Sequence, residues 1–206
     1  MYAGHVGIAL ALRRARGAPP LWLLVVAAQL PDWGDALVEL YGTAPRDPGW
    51  SPHGWPLVGL GALAAALVGA RLARGWRAGA LAAVACVSHW GADYFTGLKP
   101  TWPGGPATVG LMWYEHPARD LALEVAVTAV GWALWRGSLP AADPTAGRRG
   151  RVRRAALVWG LLGSLVVLQV GVDAVMARRS GGWGTVSDNG RAGAPPPASQ
   201  RRPVVV

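Results

Sequence analysis

Apolar runs long enough to cross a bilayer, separated by short arginine clusters, constrain this chain more than any other feature. A helix needs about 20 apolar residues to span a hydrocarbon core. Residues 21–41, 55–72, 78–96, 121–135 and 155–177 read as such segments, while 6–12 is too short to reach across. Pro19 and Pro20 open the first long segment, a position where proline is tolerated. Loops at 42–54 and 97–117 carry Pro and Gly, and Pro100, Pro103 and Pro106 keep the start of the second from being helical. The expected fold is all-α: a multi-pass transmembrane helical bundle of about five spanning helices plus a short N-terminal helix. Residues 1–179 would form this domain, and 180–206, rich in Gly, Pro and Arg, a disordered tail.

Composition agrees with that reading. Of the residues 52% are hydrophobic and only 15% charged, and mean hydropathy is +0.26, against the more charged make-up of a soluble domain. The 20 Lys+Arg outnumber the 11 Asp+Glu and give a net charge of +9. These arginines sit between apolar runs rather than among aromatics on one face, so they read as topology signals and not as a nucleic-acid surface. They fall between segments one and two, three and four, and five and six, which puts those loops in the cytoplasm and the alternate loops outside. Tryptophans near the ends of the runs (Trp22, Trp55, Trp76, Trp102, Trp113, Trp135) suit an interfacial belt. Residues 13–16, 21–26 and 26–28 imitate a secretory signal, but an apolar run precedes them and the helix continues, so a retained helix is expected. A single cysteine, Cys86, leaves no internal disulfide.

The remaining ionisable residues gather toward the outer ends of these segments. Asp32, Asp35 and Glu39 lie late in the second, His89 and Asp93 late in the fourth, and His53, Glu115 and His116 in the outer loops. His5 joins them only if the first segment reaches that side. His89 and Asp93 are four apart, and Asp32 and Asp35 three apart, so each pair shares a helix face. Burying a charge near a helix centre costs at least about 2.5 kcal/mol, and a divalent metal would satisfy imidazoles and carboxylates together. Such donors suit zinc, manganese or iron, and without a thiolate cluster a Cys-type structural zinc is excluded. Open coordination positions would then hold a water of lowered pKa, the basis of hydrolysis at neutral pH. Taken singly the elements have plainer readings: His89 with Asp93 as a hydrogen-bonded pair, Asp32 and Asp35 as helix-end caps, His53 as a solvated loop residue, and Glu124 and Asp173 as interfacial groups. No nucleophile elbow, P-loop or dinucleotide fingerprint is present.

Four segments, in order, resemble the YdjM-like family of bacterial inner-membrane proteins regarded as metal-dependent hydrolases. They are Gly-His-Val-Gly-Ile-Ala-Leu at 4–10, Leu-Pro-Asp-Trp-Gly-Asp at 30–35, Ser-Pro-His at 51–53 and Ser-His-Trp-Gly-Ala-Asp-Tyr-Phe-Thr at 88–96. A Pro-Gly-Gly-Pro stretch at 103–106, Gly-Leu-Met-Trp at 110–113 and Leu-Ala-Leu-Glu at 121–124 resemble a small membrane-protein branch of the same group. The resemblance covers roughly residues 4–124 and implies His5, Asp32, His53, His89 and Asp93 as metal ligands, with Asp35 in support. Where the family often has two histidines in the third motif, this chain keeps only His53. That leaves open one metal fewer, a water in the vacant place, or a non-enzymatic member. A distant likeness to all-helical zinc phospholipases and nucleases implies a phosphoester, on a small molecule or a lipid, as substrate.

The expectation is therefore a membrane hydrolase using a divalent metal, zinc foremost, with Asp35 or Glu115 orienting water or acting as general base. Its partners would be membrane lipids and a small-molecule or lipid substrate, with no nucleic acid. A proton-coupled transporter component and a non-catalytic membrane scaffold are the alternatives.

Overall fold

In a computed structural model, residues 2–43, 45–105, 108–139 and 148–179 are described. They form six α-helices: α1 (Tyr2–Arg13), α2 (Leu21–Tyr41), α3 (Trp55–Leu72), α4 (Trp76–Thr96), α5 (Pro117–Gly137) and α6 (Arg148–Arg179). Short 3-10 turns at Pro48–Trp50 and Trp113–Glu115 interrupt the two longer loops. Among the described residues there is no strand, only an isolated bridge between Lys99 and Val109. The expected tail, 180–206, and the side chain of Asp173 lie outside the described residues.

Local chemistry sets the helix ends. Pro20 precedes α2, and Gly42 ends it in the left-handed conformation (φ 62°), where a side chain would be strained. There the Gly42 N–H bonds the Glu39 carbonyl and the Thr43 N–H the Val38 carbonyl, the paired closure of a Schellman motif. α4 starts at Trp76, and α5 runs from Pro117 to Gly137, so both extend past the apolar stretches that announce them. Pro117 stands at the first position of α5, where its missing N–H leaves no gap.

The packing reverses the usual soluble pattern. The core between α2, α3 and α4 is rich in small residues, Ala27, Ala28, Ala62, Ala65, Ala82 and Ala85, beside Leu23 and Leu24. Leu60, Leu63 and Leu67 of α3 face outward and are 60%, 56% and 64% exposed. Small inward residues let α3 and α4 approach closely: a Cβ on Gly79 would stand 2.5 Å from the Ala66 carbonyl oxygen. Among the described residues two stretches, Leu21–Tyr41 and Pro48–Leu72, are long and apolar enough to cross a membrane. α4 is as long as α2 but carries Ser88, His89 and Asp93.

α1, too short to span, is nevertheless central. It packs on α5, α2, α4 and α6, and Ala3, His5, Ala9 and Leu10 are at most 2% exposed. It runs parallel to α5, with Gly4 beside Glu124 and Gly7 against Thr128. The turns holding Arg13–Arg16 and Arg71–Arg77 meet at one end of the bundle, where a Cβ on Gly17 would lie 3.9 Å from Arg77 Cβ. The His and Asp residues collect toward the other end.

Candidate metal centre

Three helices and one loop converge on the cluster. α1 supplies His5, α2 Asp32 and Asp35, and α4 His89 and Asp93, while His53 comes from the loop before α3. Asp32 and Asp35 do not cap a helix end, because α2 continues to Tyr41. Pro31 cannot donate to the Ala27 carbonyl, which loosens α2 one residue before Asp32. The neighbouring Ala28 carbonyl oxygen lies 2.7 Å from His89 Nδ1.

That contact fixes the histidine chemistry. The carbonyl can only accept, so Nδ1 carries its proton and His89 turns Nε2, the nitrogen that could bind a metal on losing its proton, toward the cluster. His53 is held the same way, Nδ1 lying 2.6 Å from Asp35 Oδ2. The two Nε2 atoms are 3.0 Å apart. Asp32 Oδ1 is 3.5 Å from each of them. Asp93 Oδ2 is 3.3 Å from His53 Nε2 and 3.2 Å from His89 Nε2. The four donor atoms all lie within 4.8 Å of one another, a His2Asp2 group of a size to hold a metal ion. The buried Asp32 Oδ2 has no hydrogen-bond partner among the described residues, so this oxygen is not consumed by the protein.

Around these four lies a supporting ring. His5 stacks on His89 with ring centroids 3.9 Å apart, and its Nε2 is 3.2 Å from Asp93 Oδ1. Asp93 therefore faces His5 with one oxygen and the donor group with the other. Lys99 Nζ lies 2.6 Å from Asp93 Oδ2 and is 15% exposed. Burial works against a charged His53, but hydrogen bonds to Asp32, Asp35 and Asp93 outweigh it and hold its pKa up at about 10. The carboxylates thus favour positive charge at the centre of the cluster.

Two loops, at 42–54 and 97–117, hold His53 and Lys99 in place. Asp47 accepts from the Gly49 N–H at 2.9 Å and the Gly104 N–H at 2.8 Å, and the Trp55 N–H bonds the Thr101 carbonyl. Lys99 is locked by its bridge to Val109.

All five residues expected as metal ligands, and Asp35, are brought together, but with different parts. Asp32, His53, His89 and Asp93 form the donor group, while His5 and Asp35 contact it from outside. Glu115 stands exposed on the Trp113–Glu115 turn, and among the described residues no contact joins it to the cluster. Sequence reasoning missed Lys99, although it is the sole lysine in a chain that otherwise uses arginine. Glu124 is not interfacial but fully buried, and its Oε2 accepts from the Gly4 N–H at 2.8 Å, in the first turn of α1.

Asp35→Ala is expected to weaken metal binding about 10- to 100-fold by freeing the His53 ring, as loss of a carboxylate behind a ligating histidine does. Competition against a chromogenic chelator measures this. An unchanged affinity would mean that Asp35 does not orient His53. Comparison of the chain with protein-family models, curated proteins and solved structures finds no match to any of them, so the donor group and its surroundings carry the functional reading.

Proposed function

We propose that the chain is a multi-pass protein of the bacterial inner membrane and a metal-dependent hydrolase, with one divalent cation in the His2Asp2 group at the extracytoplasmic side. The single observation carrying this is the donor geometry. Tetrahedral zinc with nitrogen and oxygen ligands at about 2.0–2.2 Å sets neighbouring donors about 3.3–3.6 Å apart. Five of the donor separations fall between 3.0 and 3.5 Å. The bundle in a membrane is supported by outward-facing leucines over an alanine-rich interior and by arginine turns gathered at one end. About five spanning helices follow if α4, α5 and α6 cross beside α2 and α3.

When bound, such a cation supplies Lewis acidity and activates water near neutral pH. The protein residues do the rest. His53 and His89 present Nε2 because Asp35 and the Ala28 carbonyl hold their other nitrogens. Asp35 is thus a positioning residue rather than the base, and among the described residues Glu115 has no contact that would let it act as one. Lys99 sets a fixed positive charge beside Asp93, where phosphoryl oxygens would be stabilised. Asp32 is the donor with most room to yield, its side chain being 14% exposed against 5% or less for the other three.

Four protein donors also close a tetrahedron, which favours a second reading: a metal clasp that only ties α2, α4 and the His53 loop together. A proton relay finds no comparable support, since the described core toward the arginine turns is Ala9, Leu10, Leu24 and Ala82. Elemental mass spectrometry of detergent-purified protein, followed by a phosphoester screen with and without chelator, tests the proposal. About one metal per chain with chelator-sensitive hydrolysis is expected. Metal without turnover would leave the clasp, and no metal in folded protein would remove both.

A further inference from the structure

An apolar groove of about 320 Å³ opens beside the cluster, lined on α2 by Leu30, Trp33 and Leu37 and on α3 by Leu57. Its other walls include Pro31 and Pro52, each the chain neighbour of a donor residue, Asp32 and His53. Trp33 and Leu37 are 49% and 54% exposed, so the mouth lies on the outer surface, next to the outward leucines of α3. The volume is at the small end of ligand sites, room for one slender apolar segment and not for a whole amphiphile. Asp35 holds the far nitrogen of His53, and the Lys99 ammonium contacts the donor group at Asp93. An apolar slot ending at a cation-binding cluster flanked by a fixed ammonium complements a ligand with an apolar tail and an anionic head.

We propose that this groove takes one acyl chain of a membrane phospholipid whose phosphate reaches the His2Asp2 group and Lys99. This rests on the metal-centre reading and names its substrate class. Seating the chain against α2 and α3 brings the headgroup ester to the donors without leaving the bilayer, and the rest of the lipid stays in the membrane.

The full chain in phosphatidylglycerol vesicles, doped with phosphatidylglycerol bearing a diazirine midway along one acyl chain, provides the test. Photolysis is expected to label Trp33, Leu37 and Leu57 above the outer positions Leu60, Leu63 and Leu67. Leu37→Trp narrows the mouth and should lower groove labelling about tenfold, equivalent to roughly 1.4 kcal/mol of binding, with metal content unchanged as the check on folding. Leu57→Trp, on the facing helix, serves if the first variant fails to retain metal. Labelling spread evenly over α3 and insensitive to both substitutions would overturn the proposal, since only bulk lipid would then touch this face. Groove labelling in protein that holds no metal would keep the acyl site and remove the hydrolase reading, so the two fail separately.

Discussion

Asp93→Ala is expected to empty the centre of metal and to cost the bundle about 3–5 kcal/mol of stability, the range for removing one member of a buried ion pair. No other carboxylate of the cluster touches as many partners. Asp93 Oδ2 lies 2.6 Å from Lys99 Nζ, 3.2 Å from His89 Nε2 and 3.3 Å from His53 Nε2, and Oδ1 lies 3.2 Å from His5 Nε2. Without the carboxylate three imidazoles and an ammonium face one another in a space that is 0–5% exposed at the histidines, with Asp32 and, behind His53, Asp35 left to balance them. Lys99, at 15% exposure, can withdraw toward solvent, which places the loss at the lower end of the range. Asp93→Asn separates the two effects. It keeps the shape but not the charge, so it should lose metal while sparing much of the stability. Elemental mass spectrometry and thermal unfolding in detergent read the two quantities on the same sample. Metal retained at the wild-type level in Asp93→Ala would place the donor group elsewhere.

The centre was legible because its spacing is a property of helices. His89 and Asp93, four apart on α4, share a face whatever surrounds them, and they supply two of the four donors. Asp32 and Asp35, three apart, were read as a co-facial pair, and the structure divides them: one is a donor and the other reaches round to His53 Nδ1. Spacing along a helix gives direction, but it does not say which loop residue will arrive opposite. For the same reason Lys99 was missed. Its approach to Asp93 depends on how two Pro- and Gly-rich loops interlock through Asp47 and the Lys99–Val109 bridge, and no periodicity encodes that. The ends of α2 and α3 coincide with the limits of their apolar runs. α5 begins four residues before its own, because its first turn is polar and buries Asp120. Glu124 looked interfacial by position, but hydropathy cannot reveal that α1 begins beside it and offers an unpaired N–H.

The seat of α1 gives the second large effect, and it acts on the centre without touching it. Gly131→Leu is expected to lower stability by about 3 kcal/mol, the upper end for overpacking, because the obstacle is backbone. A Cβ at Gly131 would stand only 1.9 Å from the Gly7 carbonyl oxygen, and one at Gly7 would stand 2.7 Å from Thr128 Cα. Neither backbone can yield as a flexible side chain does, so α1 must move off α5. His5 is carried on the same helix, two residues before Gly7, and moves with it. Its stacking on His89 at 3.9 Å and its approach to Asp93 Oδ1 would both be lost, as would the Glu124 bond to the Gly4 N–H. Metal affinity should therefore fall about 10- to 100-fold, as when a support behind a ligand is removed, rather than vanish as in Asp93→Ala. Gly91→Ala is the matching control on α4. Nothing lies within 4 Å of its added Cβ, and replacing a helical glycine there should stabilise by about 0.5–1 kcal/mol. Chelator competition and thermal unfolding of the two variants side by side would decide the point. If Gly131→Leu unfolded with wild-type stability and bound metal normally, α1 would not be seated on α5, and His5 would have no part in holding Asp93.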